Sequence, residues 1–64
     1  MSVGQMAGVA MTLYEVSPKE LGQAANVHEC TISRWKQGGT VSAETAFKLN
    51  LTLGRLIERR EVAS

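Results

Sequence analysis

The sequence predicts an all-α fold, a small domain of four to five helices. Two observations carry this prediction. Apolar residues recur at helical spacing near both ends of the chain. Helix-start signals, each a serine followed within three residues by a glutamate, occur at Ser17 and Ser42. The chain has 64 residues, 44% of them hydrophobic, so residues 1–64 are expected to form one domain with a thin core.

The first predicted helix runs from about Gln5 to Val16. Apolar residues in this part of the chain follow a helical spacing. Two glycines, Gly4 and Gly8, each weaken such a helix by about 1 kcal/mol relative to alanine. We therefore expect the start of this helix to be frayed.

The segment SPKE at 17–20 predicts the start of a second, short helix. Ser17 can cap it, and Pro18 suits the first helical position, where a missing N–H is harmless. Glu20 can reach back to the Ser17 N–H and complete a capping box. The helix is expected to end near Asn26, because asparagine readily adopts the left-handed conformation that closes helices.

A third helix is predicted from about Glu29 to Gln37, where a glycine pair ends it. At 100° per residue, Trp35 lies about 60° from Ile32, and the two form a narrow apolar face. Trp35 is therefore expected in the core. His28, about 40° from Ile32, falls on the same face as Ile32 and Trp35. The opposite face and its edges are polar, and they carry Glu29, Cys30, Thr31, Ser33, Arg34, Lys36 and Gln37.

The fourth helix is predicted at about 43–60, with Ser42 as its N-cap. The segment LNLTL at 49–53 also alternates with period two, so a strand is an alternative there. Gly54 is a position at which the helix could divide. The segment ERREVAS that follows is expected to be a frayed tail, with its charges, Arg60 among them, on a solvated or intersubunit face.

The polar face of the third helix has the chemistry that reads base edges in the DNA major groove. Arginine pairs with guanine, glutamine with adenine, glutamate with the cytosine amino group, and serine is permissive. Small side chains let the helix axis approach the bases. We predict that Glu29, Cys30, Ser33, Arg34 and Gln37 read bases. We predict phosphate contacts from the flanking residues His28, Thr31 and Lys36.

The segment LGQAANVHECTISRWK, Leu21 to Lys36, resembles the helix-turn-helix of the lambda CII-type activators and the wider Cro/CI repressor superfamily. ISRWK is close to the family's usual ending of the recognition helix. VSAETAFKLNLTLG is similar to the helix that follows in Cro/CI and antitoxin-type members. Gly22 and Asn26 stand where the family usually has alanine and glycine, and both substitutes suit a close helix contact and a tight turn.

The resemblance covers about residues 17–54, with the motif itself at about 18–37. It implies a phage or mobile-element transcription regulator, with a repressor favoured over an activator and with double-stranded DNA as its partner. The residues themselves do not decide between repression and activation. We expect a homodimer on a palindromic operator, one third helix per half-site, about 34 Å apart. The fourth helix has more apolar surface than a thin core needs, and we assign the surplus to the dimer contact. The residues assigned to it are Leu49, Leu53, Leu56 and Ile57, with Val3 and Met6 of the first helix as further contributors.

The composition limits the other function classes. Cys30 is the only cysteine and His28 the only histidine, so neither a disulfide within the chain nor a metal site is predicted. The sequence contains no nucleophile paired with a base and no phosphate-binding loop, so we predict no enzyme, no cofactor and no small-molecule substrate. No apolar run reaches the roughly 18–20 residues that span a bilayer, and there is no basic signal-peptide start. We expect a soluble cytoplasmic protein.

The net charge of +1 neither requires nor excludes nucleic acid. One alternative therefore stays open. The same helices could form a protein-interaction module, of the kind found in antitoxins, whose polar face binds a protein partner instead of DNA.

Overall fold

The chain folds into four helices in the computed structural model, which describes residues 1–63. They are α1 (Val3–Leu13), α2 (Pro18–Ala25), α3 (Glu29–Lys36) and α4 (Ala43–Ala63). The described residues contain no strand, so the all-α prediction is confirmed and the strand alternative at 49–53 is wrong. Both α1 and α2 pack against α3 and α4. Ser64, the last residue of the predicted tail, lies outside the described residues.

The core contains side chains from all four helices and from the turn after α1. Trp35 is 3% exposed, which confirms its predicted place in the core. Full burial of a side chain such as Leu21 or Ile32 stabilises the fold by about 1.5–3 kcal/mol. The buried apolar residues described are Ala7, Met11, Val16, Leu21, Ala25, Ile32, Trp35, Leu49, Leu53 and Leu56.

The structure corrects the predicted dimer contact. Leu49, Leu53 and Leu56 are 0%, 5% and 6% exposed, so their side chains have no surface to offer a second subunit. Ile57 is partly buried against the same cluster. The physical reason lies in α1, which contributes mostly small side chains to the core. The leucines of α4 fill the remaining volume, and there is no surplus on that face.

The predicted N-caps of α2 and α4 are confirmed. The Glu20 N–H donates to Ser17 Oγ at 3.0 Å, and the Thr45 N–H donates to Ser42 Oγ at 3.1 Å. The predicted return bond from the Glu20 side chain to Ser17 is wrong. Glu20 Oε1 instead accepts a hydrogen bond from Arg60 Nη2 at 2.6 Å. Arg60 therefore joins α4 to α2 through a half-exposed contact that the sequence did not predict.

The start of α1 is better defined than the sequence suggested. The helix begins at Val3 and not at Gln5, because Ser2 and Gln5 form a complete capping box. The Gln5 N–H donates to Ser2 Oγ at 3.1 Å, and the Ser2 N–H donates to Gln5 Oε1 at 2.9 Å. Two satisfied backbone donors offset part of the cost of the glycines that follow.

Helices α1, α2 and α3 end in the same way. In each, a residue with left-handed backbone reverses the chain, and the next N–H donates to the carbonyl five residues back, as in a Schellman motif. This confirms Asn26 as the end of α2 and the glycine pair as the end of α3. It also ends α1 at Leu13, short of the predicted Val16. The residues with left-handed backbone are Glu15, Asn26 and Gly38. The hydrogen bonds run from the Val16 N–H to the Met11 carbonyl oxygen at 2.8 Å, from the Val27 N–H to the Gly22 carbonyl oxygen at 2.9 Å, and from the Gly39 N–H to the Arg34 carbonyl oxygen at 2.8 Å.

Helix α4 is continuous through Gly54. A Cβ added there would meet nothing within 4 Å, so the glycine lies on the open side of the helix, while the core leucines hold the other side. The helix has 21 residues and extends about 30 Å, close to the 33 Å length of the molecule. No helix among residues 1–63 combines the length and hydropathy that crossing a membrane requires.

Candidate nucleic-acid interface

The turn between α2 and α3 sets the position of α3. Asn26, with φ 57° and ψ 46°, ends α2, and His28 caps α3 only two residues later. A Cβ on Gly22 would lie 2.6 Å from the Val27 carbonyl oxygen and 3.3 Å from Ile32 Cδ1. Any larger residue at 22 would push the turn away from α2. The glycine is thus required here by the close approach of the two helices.

Helix α3 is two-sided, as its sequence predicts. Ile32 and Trp35 are buried and anchor one side. The structure places all five predicted base-reading residues on the exposed remainder of the helix and its C-cap. Two of the predicted phosphate residues, Thr31 and Lys36, are half-buried at its edges. The exposed five are Glu29, Cys30, Ser33, Arg34 and Gln37.

His28 is the N-cap of α3. Its Nδ1 accepts a hydrogen bond from the Cys30 N–H at 3.2 Å, so that nitrogen carries no proton. In a neutral imidazole the other nitrogen, Nε2, then holds the proton and can donate it. His28 is exposed, so this N–H is available to a phosphate oxygen at the leading end of α3.

The aliphatic part of the Arg34 side chain is restricted by its neighbours, whereas the guanidinium is free to bind a ligand. Its Cγ lies so close to Gly39 that a Cβ on that glycine would overlap it, and its Cδ would be 3.2 Å from that Cβ. The Gly39 N–H also donates to the Arg34 carbonyl oxygen at 2.8 Å. No ion pair involves the guanidinium within the described part of the chain. A restricted stem with an open fork loses less side-chain entropy when it binds a base edge.

Lys36 lies on the α1 side of α3. Its Cβ, Cγ and Cε are 3.4–3.5 Å from the point where a Cβ on Gly8 would be. The aliphatic stem therefore packs along α1 while the ammonium extends to the edge of α3. This place at the edge suits a contact with the DNA backbone and not with a base.

A groove of about 420 Å³ separates α2 from the start of α3. The sequence prediction missed two of its residues, Lys19 and Gln23, although their i, i+4 spacing on the exposed side of α2 indicated a shared face. Together with His28 they place three hydrogen-bond donors around one opening. The residues that line the groove are Lys19, Gly22, Gln23, Asn26, Val27, His28 and Glu29.

The charges around α3 follow the helix dipole. Glu29 is in its first turn, and Arg34 and Lys36 are in its last turn, where each charge is stabilised. With Lys19 in the groove, three cations and one anion surround the polar face. The local charge is positive but small.

Comparison with protein-family models, with curated proteins and with solved structures found no match for this chain. The candidate site combines a tight turn, a helix anchored on one side, and a row of exposed hydrogen-bonding side chains on the other.

Proposed function

We propose that the protein is a sequence-specific DNA-binding transcription regulator that inserts α3 into the major groove. The observation that carries the proposal is the two-sided α3, with five polar residues exposed opposite Ile32 and Trp35. A major groove about 12 Å wide accepts one such helix. The resemblance of residues 17–54 to Cro/CI-type helix-turn-helix proteins supports the same function.

Each exposed residue has a role in this proposal. Arg34 donates to guanine O6 and N7, and Gln37 pairs with the N6 and N7 edge of adenine. Glu29 accepts a hydrogen bond from cytosine N4. Cys30 and Ser33 are small and let the helix approach the bases. The phosphate contacts come from the edges of α3 and from the groove, through Lys19, His28, Thr31 and Lys36.

The regulator would act as a homodimer in the cytoplasm of its host cell. Two copies would place their α3 helices in successive major grooves about 34 Å apart on a palindromic operator. Repression follows from occupation of a promoter, and the resemblance to phage and mobile-element repressors favours that sign.

Selection of bound sequences from a random duplex pool, followed by affinity measurements on Arg34→Ala, tests the proposal. The variant should lose about 1–3 kcal/mol of specific binding and relax the preference at one base pair. Arg59→Ala, on the exposed side of α4, is the matched control because it removes the same charge away from α3. If both variants weaken binding equally and leave the preferred sequence unchanged, Arg34 reads no base.

The salt dependence of binding gives a second measure. Of the four phosphate contacts in each copy, only those of Lys19 and Lys36 neutralise a phosphate charge, so the expected slope in log affinity against log salt is about −1.8 per copy. A chain that binds no duplex even at about 50 mM salt contradicts the proposal. That outcome would favour the protein-interaction alternative, which the small local charge and the acidic Glu29 also fit.

A further inference from the structure

Helix α1 is built with its large side chains on the outside. A helix on the surface of a domain normally buries its large apolar residues and exposes polar ones. Here the buried side is mostly small: Gly4, Ala7, Gly8 and Met11. The outer side is large and apolar, with exposed fractions of 58% for Val3, 58% for Met6, 50% for Val9 and 74% for Leu13.

The outer residues form one continuous face. At 100° per residue, positions 3, 6, 9, 10 and 13 fall within an arc of about 120°. The helix VGQMAGVAMTL carries no charge at all. The exposed parts of Val3, Met6, Val9 and Leu13 present roughly 400 Å² of apolar surface, within the range of the largest patch on a monomer. Two such faces together supply at most about 800 Å², which suits a weak, reversible interface.

We propose that this outer face of α1 binds the same face of a second copy, with the two α1 helices antiparallel. Positions 3, 6, 10 and 13 alternate steps of three and four residues, which is the spacing of the seam between paired helices. An antiparallel pair centred on residue 8 sets Val3 opposite Leu13 and Met6 opposite Ala10. The long methionine then meets the small alanine at both symmetric positions, so the face is complementary to itself.

The absence of charge on α1 argues for a second copy over a different protein. Heterologous partners are usually selected by complementary charges, and this helix has none to offer. Other large apolar residues that are exposed, such as Phe47 and Leu51, lie on α4, where charged residues stand between and beside them in the sequence. They therefore form no comparable uncharged face. The homodimer of the proposed function would gain its contact surface here, but the inference does not require DNA binding.

Sedimentation equilibrium of the whole chain without DNA, over a range of concentrations, measures the association. Met6→Glu should raise the dissociation constant of the dimer at least about tenfold, because each charge would be buried against an apolar face. Leu51→Glu is the matched control on α4 and should leave the constant unchanged. Circular dichroism verifies that both variants stay helical.

Charge pairs across the dyad test the antiparallel register. Val3→Glu and Leu13→Lys each add a charge of the sign that the nearby helix end stabilises. Each single variant should associate more weakly. The double variant should recover, because the introduced glutamate of one copy then faces the introduced lysine of the other at both ends of the helix pair. A double variant as weak as the singles would overturn the antiparallel pairing.

Two further results would overturn the proposal: a wild-type chain that stays monomeric up to about 1 mM, or a dimer that Leu51→Glu dissociates and Met6→Glu does not. A stable α1 dimer that binds no duplex would count against the DNA-binding function alone, so the failure of one proposal is distinguishable from the failure of the other.

Discussion

Helices α1 and α3 pack against each other with opposite constructions. Helix α3 is anchored by the volume of Ile32 and Trp35, and the rest of its surface is polar. Helix α1 packs closely against α3, because the absence of a side chain at Gly4 lets the α1 backbone contact the carbonyl of Trp35. In α3 the large apolar side chains face inward and the polar ones face outward, whereas in α1 the inward side is mostly small and the outward side is large and apolar. The two outer faces therefore suit different kinds of partner.

Removal of the α3 anchor should have the largest effect on stability. Trp35→Ala is expected to lower the free energy of unfolding by about 3–5 kcal/mol, because it empties a site in the core. Chemical denaturation followed by circular dichroism measures it. Phe47→Ala is the control, since Phe47 is 71% exposed and its loss should cost less than about 1 kcal/mol. Similar losses in both variants would refute the anchor role of Trp35.

Filling the space at Gly4, where α1 contacts α3, should have an intermediate effect on the free energy of unfolding. Gly4→Ala adds a Cβ that overlaps the Trp35 carbonyl oxygen and lies 2.8 Å from its ring atom Cδ1, so α1 must move away from α3. We expect a loss of about 1–3 kcal/mol, typical of overpacking. Gly54→Ala makes the same change at an open helical position and should stabilise the fold by up to about 1 kcal/mol. If Gly4→Ala also stabilises, the contact is not close.

The smallest effect on stability is expected from removal of the Tyr14 hydroxyl, at the C-terminal end of α1. Tyr14 Oη donates a hydrogen bond to Glu61 Oε1 at 2.8 Å. This bond, with the nearby negative charge and slight desolvation, raises the pKa of Tyr14 above its ordinary value of 10.0. The protonated phenol is therefore favoured by folding. Its contribution is present below about pH 10 and is lost as the pH rises through the folded pKa.

Unfolding of the wild type and of Tyr14→Phe, compared between pH 8 and pH 12, tests this contribution. The small advantage of the wild type should shrink as the pH rises, and above the folded pKa the ionised phenol should repel Glu61. An advantage that stays constant over this range would show that the hydrogen bond contributes nothing.

Local sequence signals predicted where the helices begin and end better than they predicted which side chains contact each other between helices. Ser17, Asn26 and Ser42 act within three or four residues of themselves, so their roles could be derived from spacing alone. The partner of Glu20 could not, because Arg60 is 40 residues away. The early end of α1 depends on a left-handed Glu15, a residue type with little preference for that conformation.

The candidate site shows the same division. The two faces of α3 follow from its 3.6-residue period, so Trp35 and the exposed five were predictable. The groove between α2 and α3 depends on how close the helices approach, which Gly22 sets and no periodicity reveals. Lys19 and Gln23 were missed for that reason. The leucines of α4 were misplaced because the small inner face of α1 leaves them more volume to fill than a thin core suggested.

The length of α4 has a consequence for how this chain can change in evolution. The helix spans the molecule, and two neighbouring residues near its end, Arg60 and Glu61, reach α2 and α1 respectively. One residue inserted before them would rotate both by about 100° and shift them by about 1.5 Å along the axis, so both connections would be lost together. We expect substitutions on the outer side of α4 to be tolerated, whereas an insertion fits only between Gly39, which closes α3, and Ser42, which caps α4.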